Sequence, residues 1–237
     1  MINKIIFKEV SRNAAFFALL FLIFNWNVAV GQDSILVTND LEFKSGVYLN
    51  AESFRNDKPS LDWESVRYDV HANKDKRVIQ FKNFQKLNQE TKEQTPLNIK
   101  EIWGICVNGI PYIRVDIPSR NVSEFVALRT RGRICYFNYE GYEIKKVPMI
   151  IYNPSNGEPV LKKEVENKVE VIFEKILQFE DGTIGDFDLV TFKSWIEKVD
   201  KRLAETLSKL DETEAQAKLY KSMKIYNDRN PIYLKKK

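Results

Sequence analysis

Alternating apolar and polar positions are clearest in the segment EIWGICVNGIPYIRV, at residues 101–115. Its two alternating runs are joined by Asn108-Gly109, a dipeptide that tolerates the positive φ angles of a two-residue hairpin turn. Counting outward from the turn places Val107 opposite Ile110 and sets the register of the pair. The pattern predicts a β-hairpin whose buried face carries Ile102, Cys106, Ile113 and Val115.

Three further regions alternate in the same way. The segment EFVALRTRGRICYFNYE predicts a second hairpin that turns at Arg131-Gly132 and places Val126 opposite Phe137. The segment GYEIKKVPMIIY predicts another strand, which ends at a loop containing glycine and prolines. The segment KVEVIFEKILQF has both helical and alternating spacing, and the alternation of its valines favours a strand.

The C-terminal part of the chain has helical periodicity. Asp188 is a candidate N-cap for a helix whose apolar residues recur every three or four positions, with a bend expected near Asp200. The apolar stripe consists of Phe192, Ile196, Val199, Leu203, Leu207 and Leu210. Asp211 with Glu214 resembles a capping box, which predicts a last helix that ends near Asn230.

Residues 33–100 are the least regular part of the chain, although RVIQFKNF alternates well enough for a strand, and we expect a lid or peripheral layer there. Within them, Asn50 can cap a short helix in AESFRN that ends before Pro59. This segment would form a latch against the sheet, with a ligand loop as the alternative.

These patterns together predict an α+β fold for one domain, residues 32–237. Its centre is an antiparallel β-sheet of hairpins, which can curl toward a barrel, mainly within residues 77–180. The C-terminal helical segment, mainly residues 188–228, packs on this sheet because its apolar stripe is too regular to remain in water.

The N-terminus predicts an export signal. A basic leader precedes the apolar run AAFFALLFLIF, which is much shorter than the roughly 20 residues that span a bilayer. Small residues at Ala29 and Gly31 favour cleavage after Gly31, so residues 1–31 are a signal peptide and the mature form carries no transmembrane span. We expect a periplasmic or secreted protein. An uncleaved anchor helix is the alternative, because no charge follows the run before Asp33.

The charge of the chain is small once the signal is removed. The formal net charge is +4, and the signal carries three basic residues and one acidic residue, which leaves +2 on the mature form. Such a value disfavours nucleic acid as a partner. The basic surplus lies in the tail after Lys218, where a solvated helix face is favoured over contact with anionic lipid or nucleic acid.

Residues with catalytic or metal-binding chemistry are scarce. The chain has one histidine, His71, in the polar run VHANKDK, and we expect it to be an exposed loop residue. One histidine and two cysteines do not supply four good ligands for zinc or copper. The sequence therefore indicates no catalytic, cofactor-binding or metal-binding residue and no cofactor. A pair of carboxylates that hydrolyses a glycosidic bond stays open, because sequence does not give their separation.

Two groups of candidate residues have competing interpretations. Asp181, Asp186 and Asp188 lie near two glycines, but their spacing differs from a calcium loop, which favours a turn and a helix cap. Cys106 and Cys135 are the only cysteines, and export permits a disulfide between them. The expected strand order keeps the two thiols apart and favours buried free thiols.

Several short motifs occur together along the chain: GVYLNAESFRNDKPS, EIWGICVNGIPYI, GRICYF, LQFEDGTIGDF and YNDRNPIY. In combination they resemble an uncharacterised family of exported proteins of Gram-negative bacteria. The likeness covers most of the mature chain. It implies export and carries no established activity, ligand or catalytic residue.

The scarcity of catalytic groups and the extent of sheet and helix surface favour a non-catalytic binding or structural module of the cell envelope. The expected partner is an envelope protein or a glycan. The alternative is a carboxylate-based, carbohydrate-active hydrolase, for which two acids must share a cleft.

The signal pattern predicts that the mature protein begins at Gln32, because the apolar run is short and small residues precede this position. Mass spectrometry of the protein recovered from its own cells measures the N-terminus directly. Recovery of the intact N-terminus in the membrane fraction would support the anchor helix instead.

Overall fold

Antiparallel strands dominate the computed structural model, which describes residues 34–117 and 122–235, and most of the helices lie near the C-terminus. The fold is α+β, as the sequence predicts. The strands are β1 (Ser34–Leu36), β2 (Gly46–Tyr48), β3 (Val66–Arg67), β4 (Val70–Asn73), β5 (Val78–Phe81), β6 (Gln85–Leu87), β7 (Gln94–Pro96), β8 (Gly104–Val107), β9 (Ile110–Ile117), β10 (Val122–Ala127), β11 (Ile134–Tyr152), β12 (Pro159–Gln178), β13 (Ile184–Asp186) and β14 (Tyr233–Lys235). The α-helices are α1 (Ala51–Arg55), α2 (Leu189–Ile196), α3 (Lys201–Ser208) and α4 (Glu212–Arg229).

A six-stranded sheet has the order β2-β8-β9-β10-β5-β4 and curls into a half-barrel. The predicted hairpin at Asn108-Gly109 forms β8 and β9 in this sheet. Val107 pairs with Ile110, and Asn108 and Gly109 have φ angles of 51° and 76°. The register and turn conformation predicted from the sequence are therefore confirmed.

The region expected to be a lid is instead built into the sheet. β2, β4 and β5 are three of its six strands, and Val47 in β2 pairs with Ile105 in β8. β5 lies in RVIQFKNF, where the sequence predicts a strand, whereas β2 and β4 contain too few alternations to be recognised. The predicted short helix is confirmed as α1, because Ser53 N donates a hydrogen bond to Asn50 Oδ1 at 2.8 Å.

The register predicted for the second hairpin is wrong, although the chain does reverse there, since Thr130 and Tyr136 form an isolated antiparallel bridge. Val126 in β10 pairs with Ile113 in β9 and with Val78 in β5, so both edges of β10 are occupied and Phe137 is not its partner. Gly132 lies within this reversal and is also a point of close approach, since a Cβ there would lie 2.7 Å from the side chain of Asn227.

β11 and β12 form a single long hairpin of 19 and 20 residues. β11 joins two segments for which the sequence predicts separate strands. The strand favoured for KVEVIFEKILQF is confirmed as part of β12. The ladder runs from Ile134 opposite Gln178 to Tyr152 opposite Pro159. Residues 143–170 form its exposed outer part, which we call the arm.

Within the part of the chain that the structure describes, the core contains two apolar clusters. One lies between the base of the long hairpin and the C-terminal helices, and its members include Ile134, Tyr136, Ile176, Phe192, Leu207, Leu219 and Met223. The other lies on one face of the six-stranded sheet, and its members include Val47, Ile79, Phe81, Ile105 and Phe125. The helices therefore pack on a sheet, as expected, and that sheet is the hairpin base.

The apolar helical stripe is divided at Asp200, where the sequence predicts a bend. Asp200 ends the loop after α2 and caps α3, because its Oδ1 accepts a hydrogen bond from Leu203 N at 3.0 Å. Val199 lies in that loop and is 53% exposed, so it does not belong to the buried stripe. The caps at Asp188 and Asp211 are confirmed by hydrogen bonds from Thr191 N and Glu214 N.

Residues 36–234 form one compact unit, and Ser34, Ile35 and Lys235 belong to a second one. Among the residues that the structure describes, no helix is both long and apolar enough to span a membrane. The predicted signal peptide, residues 1–31, lies outside the described residues.

The packing predicts that Leu207→Ala lowers the free energy of unfolding by about 2 to 5 kcal/mol, because the side chain is 2% exposed and its removal leaves a cavity. Val199→Ala is the matched control and should change stability by less than about 0.5 kcal/mol. Urea unfolding of both variants measures the difference. Equal effects would show that the helices do not pack as described.

Candidate functional site

A cleft of about 320 Å³ lies between the six-stranded sheet and the base of the long hairpin. β4 and β5 supply its floor: His71 pairs with Gln80, and Asn73 pairs with Val78. Paired residues of an antiparallel ladder project from the same face, so these four side chains point together into the cleft. The volume is at the lower end of the range for small-molecule sites, about 300 to 1,000 Å³.

Glu124 is the most buried polar group of the cleft. It lies in β10 and is 3% exposed, and its Oε1 accepts a hydrogen bond from Gln80 Nε2 at 2.6 Å. Burying a carboxylate is costly unless hydrogen bonds replace its water. This hydrogen bond therefore fixes the position of the Glu124 carboxylate and the orientation of the Gln80 amide.

The opposite wall comes from β11 and from the turn after β4. Lys76 Nζ and Glu140 form an ion pair, and Lys76 N donates to Asn73 Oδ1 at 3.0 Å, which orders the turn. Asn138 Nδ2 donates to the phenolic oxygen of Tyr136 at 3.2 Å. Side chains on this wall are thus held by partners next to the cleft.

Tyr139 supplies the aromatic ring of the cleft. Its ring stacks on Phe173, with 5.3 Å between the ring centroids. Burial raises the pKa of Tyr139, so its hydroxyl stays neutral at physiological pH and can both donate and accept a hydrogen bond.

The cleft contains groups of both charge signs. Its carboxylates are Asp75, Glu124 and Glu140, its cations are Lys76 and Arg129, and amides of Asn73, Gln80 and Asn138 lie among them. Among the residues that the structure describes, these three negative and two positive groups give the lining a formal charge of only −1. Such a lining favours a neutral ligand with many hydroxyl groups over an anion or a cation.

The sequence did not indicate most of these residues. His71 is exposed, as expected, although it lies in strand β4 and not in a loop. Glu124 had a weak signal, because it is a charged residue directly before the buried run of β10. The register that brings it to Gln80 depends on the β5–β10 pairing, which connects residues 44 positions apart.

The three aspartates after β12 have structural roles. Asp181 accepts a hydrogen bond from Thr183 N at 2.8 Å, Asp186 forms an ion pair with Lys175, and Asp188 caps α2. The predicted turn and helix cap are confirmed. Within residues 34–117 and 122–235 no group of three or more potential metal ligands is found.

Cys106 and Cys135 are both buried free thiols, as expected from the strand order. Cys106 Sγ donates to Phe43 O at 3.3 Å, and Cys135 Sγ donates to Gly132 O at 3.4 Å. Burial raises the pKa of each thiol to about 12. A neutral, buried thiol is a poor nucleophile, so both cysteines have packing roles.

The fold and the cleft define the chain as an α+β protein of antiparallel sheets with an open polar cleft. Comparisons with protein-family models, with curated proteins and with solved structures gave no match. Function is therefore inferred from the geometry of the site and from the sequence patterns.

The buried thiols predict a loss of stability at alkaline pH. In the unfolded chain a thiol ionises near pH 9, whereas the thiol of folded Cys135 stays protonated to about pH 12. Its contribution to the free energy of unfolding is therefore complete below pH 9 and decreases as the pH rises above 9. Cys135→Ala should reduce the slope of the free energy of unfolding against pH by about 1 kcal/mol per pH unit between pH 9 and pH 11. Urea unfolding at pH 7, 9 and 10.5 measures it. Adding reductant at pH 7 should leave the free energy of unfolding of the wild type unchanged.

Proposed function

We propose that the chain is an exported, non-catalytic binding module of the cell envelope whose cleft binds a neutral glycan unit. The observation that carries the proposal is the Glu124–Gln80 pair, a buried acceptor and a fixed amide at the floor of an open cleft. The signal pattern in residues 1–31 and the resemblance to exported proteins support export.

Sugar hydroxyls fit this lining because each can donate one hydrogen bond and accept others. The carboxylates of Glu124 and Glu140 are strong acceptors, and Lys76 and Arg129 are donors. The ring of Tyr139 provides an apolar surface against which a sugar ring can pack.

The carboxylates favour binding over catalysis in their present arrangement. Glu124 accepts a hydrogen bond from Gln80 and Glu140 is paired with Lys76, so each acid is already engaged by a neighbouring side chain. A hydrolase needs one acid free to protonate the leaving group and a second acid free to act on the sugar or on water. A carboxylate-based hydrolase is the second candidate, because Glu124 and Glu140 do line one cleft.

The proposal predicts that the mature protein binds neutral oligosaccharides and that Arg129→Ala weakens the binding about tenfold, the effect of losing one charged hydrogen bond. Arg67→Ala is the matched control, because Arg67 is exposed on β3, outside the cleft, and should bind like the wild type. A glycan array identifies a ligand, and calorimetry then measures the affinities.

Two outcomes would contradict the proposal. Binding that is equal in Arg129→Ala and Arg67→Ala, or no binding to any oligosaccharide at millimolar concentration, would exclude the cleft as a glycan site. Release of new reducing ends that is lost in Glu124→Gln would identify the protein as a hydrolase instead.

A further inference from the structure

The arm has a long free strand edge. β13 pairs with the outer edge of β12 only at residues 175–177, and Phe187 N donates to Glu174 O at 3.0 Å. In the part of the chain that the structure describes, no strand pairs with this edge between Pro159 and Phe173.

Apolar side chains lie on one face of the ribbon, beside this free edge. Val147 pairs with Val165 and Ile151 pairs with Leu161, which places all four on one face of a ribbon in water. A two-stranded ribbon is only marginally stable alone, and an open edge is a template for another strand. The arm therefore has the properties of an interaction surface.

We propose that a second copy of this chain covers the edge, the two β12 strands pairing antiparallel about a two-fold axis. A two-fold pairing that uses the whole edge is centred at its midpoint. The edge from Pro159 to Phe173 has its midpoint at Glu166, so this register follows from the geometry of the arm. It places Leu161 opposite Val171 of the second copy.

The charges along β12 are complementary in this register. Lys162 lies opposite Glu170 of the second copy, and Glu164 lies opposite Lys168 of the second copy. Symmetry repeats each pair, which gives four cross-strand pairs of opposite charge. Opposite charges on directly facing residues stabilise strand pairing, whereas like charges destabilise it.

Glu166 lies on the two-fold axis and faces Glu166 of the second copy. Within each arm Glu166 is paired with Lys146 on β11, so the row across the four strands has a lysine at each end and two glutamates at the centre. The two lysines neutralise the row. The whole arm is also neutral, with five lysines and five glutamates in residues 143–170, which favours a second copy over a strongly charged partner.

The length of the arm also fits a second copy. Fifteen paired residues extend about 50 Å and form roughly one main-chain hydrogen bond each, which is as many as a typical specific interface contains. The tip at Pro159 reaches Phe173 of the second copy, directly before β13 begins to cover the edge there. The strand pairing between the two copies therefore ends, in each copy, where the free edge of β12 ends.

A charge exchange tests the register with the mature protein in sedimentation equilibrium. The wild type should form dimers, and the double variants Lys162→Glu with Lys168→Glu, and Glu164→Lys with Glu170→Lys, should each weaken dimerisation at least tenfold. A mixture of the two variants should restore dimers, because every facing pair is again of opposite charge. Lys145→Glu, which changes the charge on β11, is the control and should leave the dimer intact.

A cross-link tests the position of the axis. Glu166→Cys places two thiols opposite each other, and mild oxidation should give a covalent dimer in high yield, whereas Lys145→Cys should not. A wild-type protein that stays monomeric at its highest soluble concentration would overturn the proposal. So would a dimer that is insensitive to the charge exchange. Loss of glycan binding without loss of dimers would affect the proposed function alone.

Discussion

The β11–β12 ladder is the interaction on which the other elements depend. Its first residues, such as Ile134 and Ile176, lie in the cluster that buries the C-terminal helices. Tyr139 and Glu140, a few residues further along β11, line the cleft opposite the six-stranded sheet. Beyond them the same ladder becomes the arm. One continuous set of main-chain hydrogen bonds therefore supports the helical layer, the cleft and the exposed ribbon.

The last helix is attached to this ladder by a polar contact as well as by apolar packing. Asn227 Nδ2 donates to Ile134 O at 2.8 Å, and Asn227 Oδ1 accepts from Ile134 N at 2.9 Å, so the side chain acts as a short additional strand. The contact requires the backbone at Gly132 to approach closely, since any Cβ there would meet Asn227. These two hydrogen bonds fix the position of α4 against β11, although the two residues are 93 positions apart in the sequence.

Features decided by neighbouring residues could be predicted from the sequence. The turn at Asn108-Gly109 needs only positive φ angles, and the caps at Asp188 and Asp211 need only an amide three residues later. The pairing of β10 with β5 could not be predicted, because β5 is a strand of four residues far away in sequence. The same applies to the cleft, whose lining comes from β4, β5, β10 and the long hairpin. The role of Gly132 is likewise visible only when α4 is in place.

The join between the base and the arm has a mechanical consequence. At Gly141 a Cβ would lie 2.7 Å from the ring of Phe173, so this ring rests directly on the backbone at the point where the ladder becomes exposed. From there to Tyr152 the ribbon extends about 37 Å. A rotation of about 6° at the base would therefore move the tip by nearly 4 Å, about four-fifths of the spacing between neighbouring strands. Small changes in packing at Phe173, next to Tyr139 in the cleft, are thus magnified at the far end of the arm.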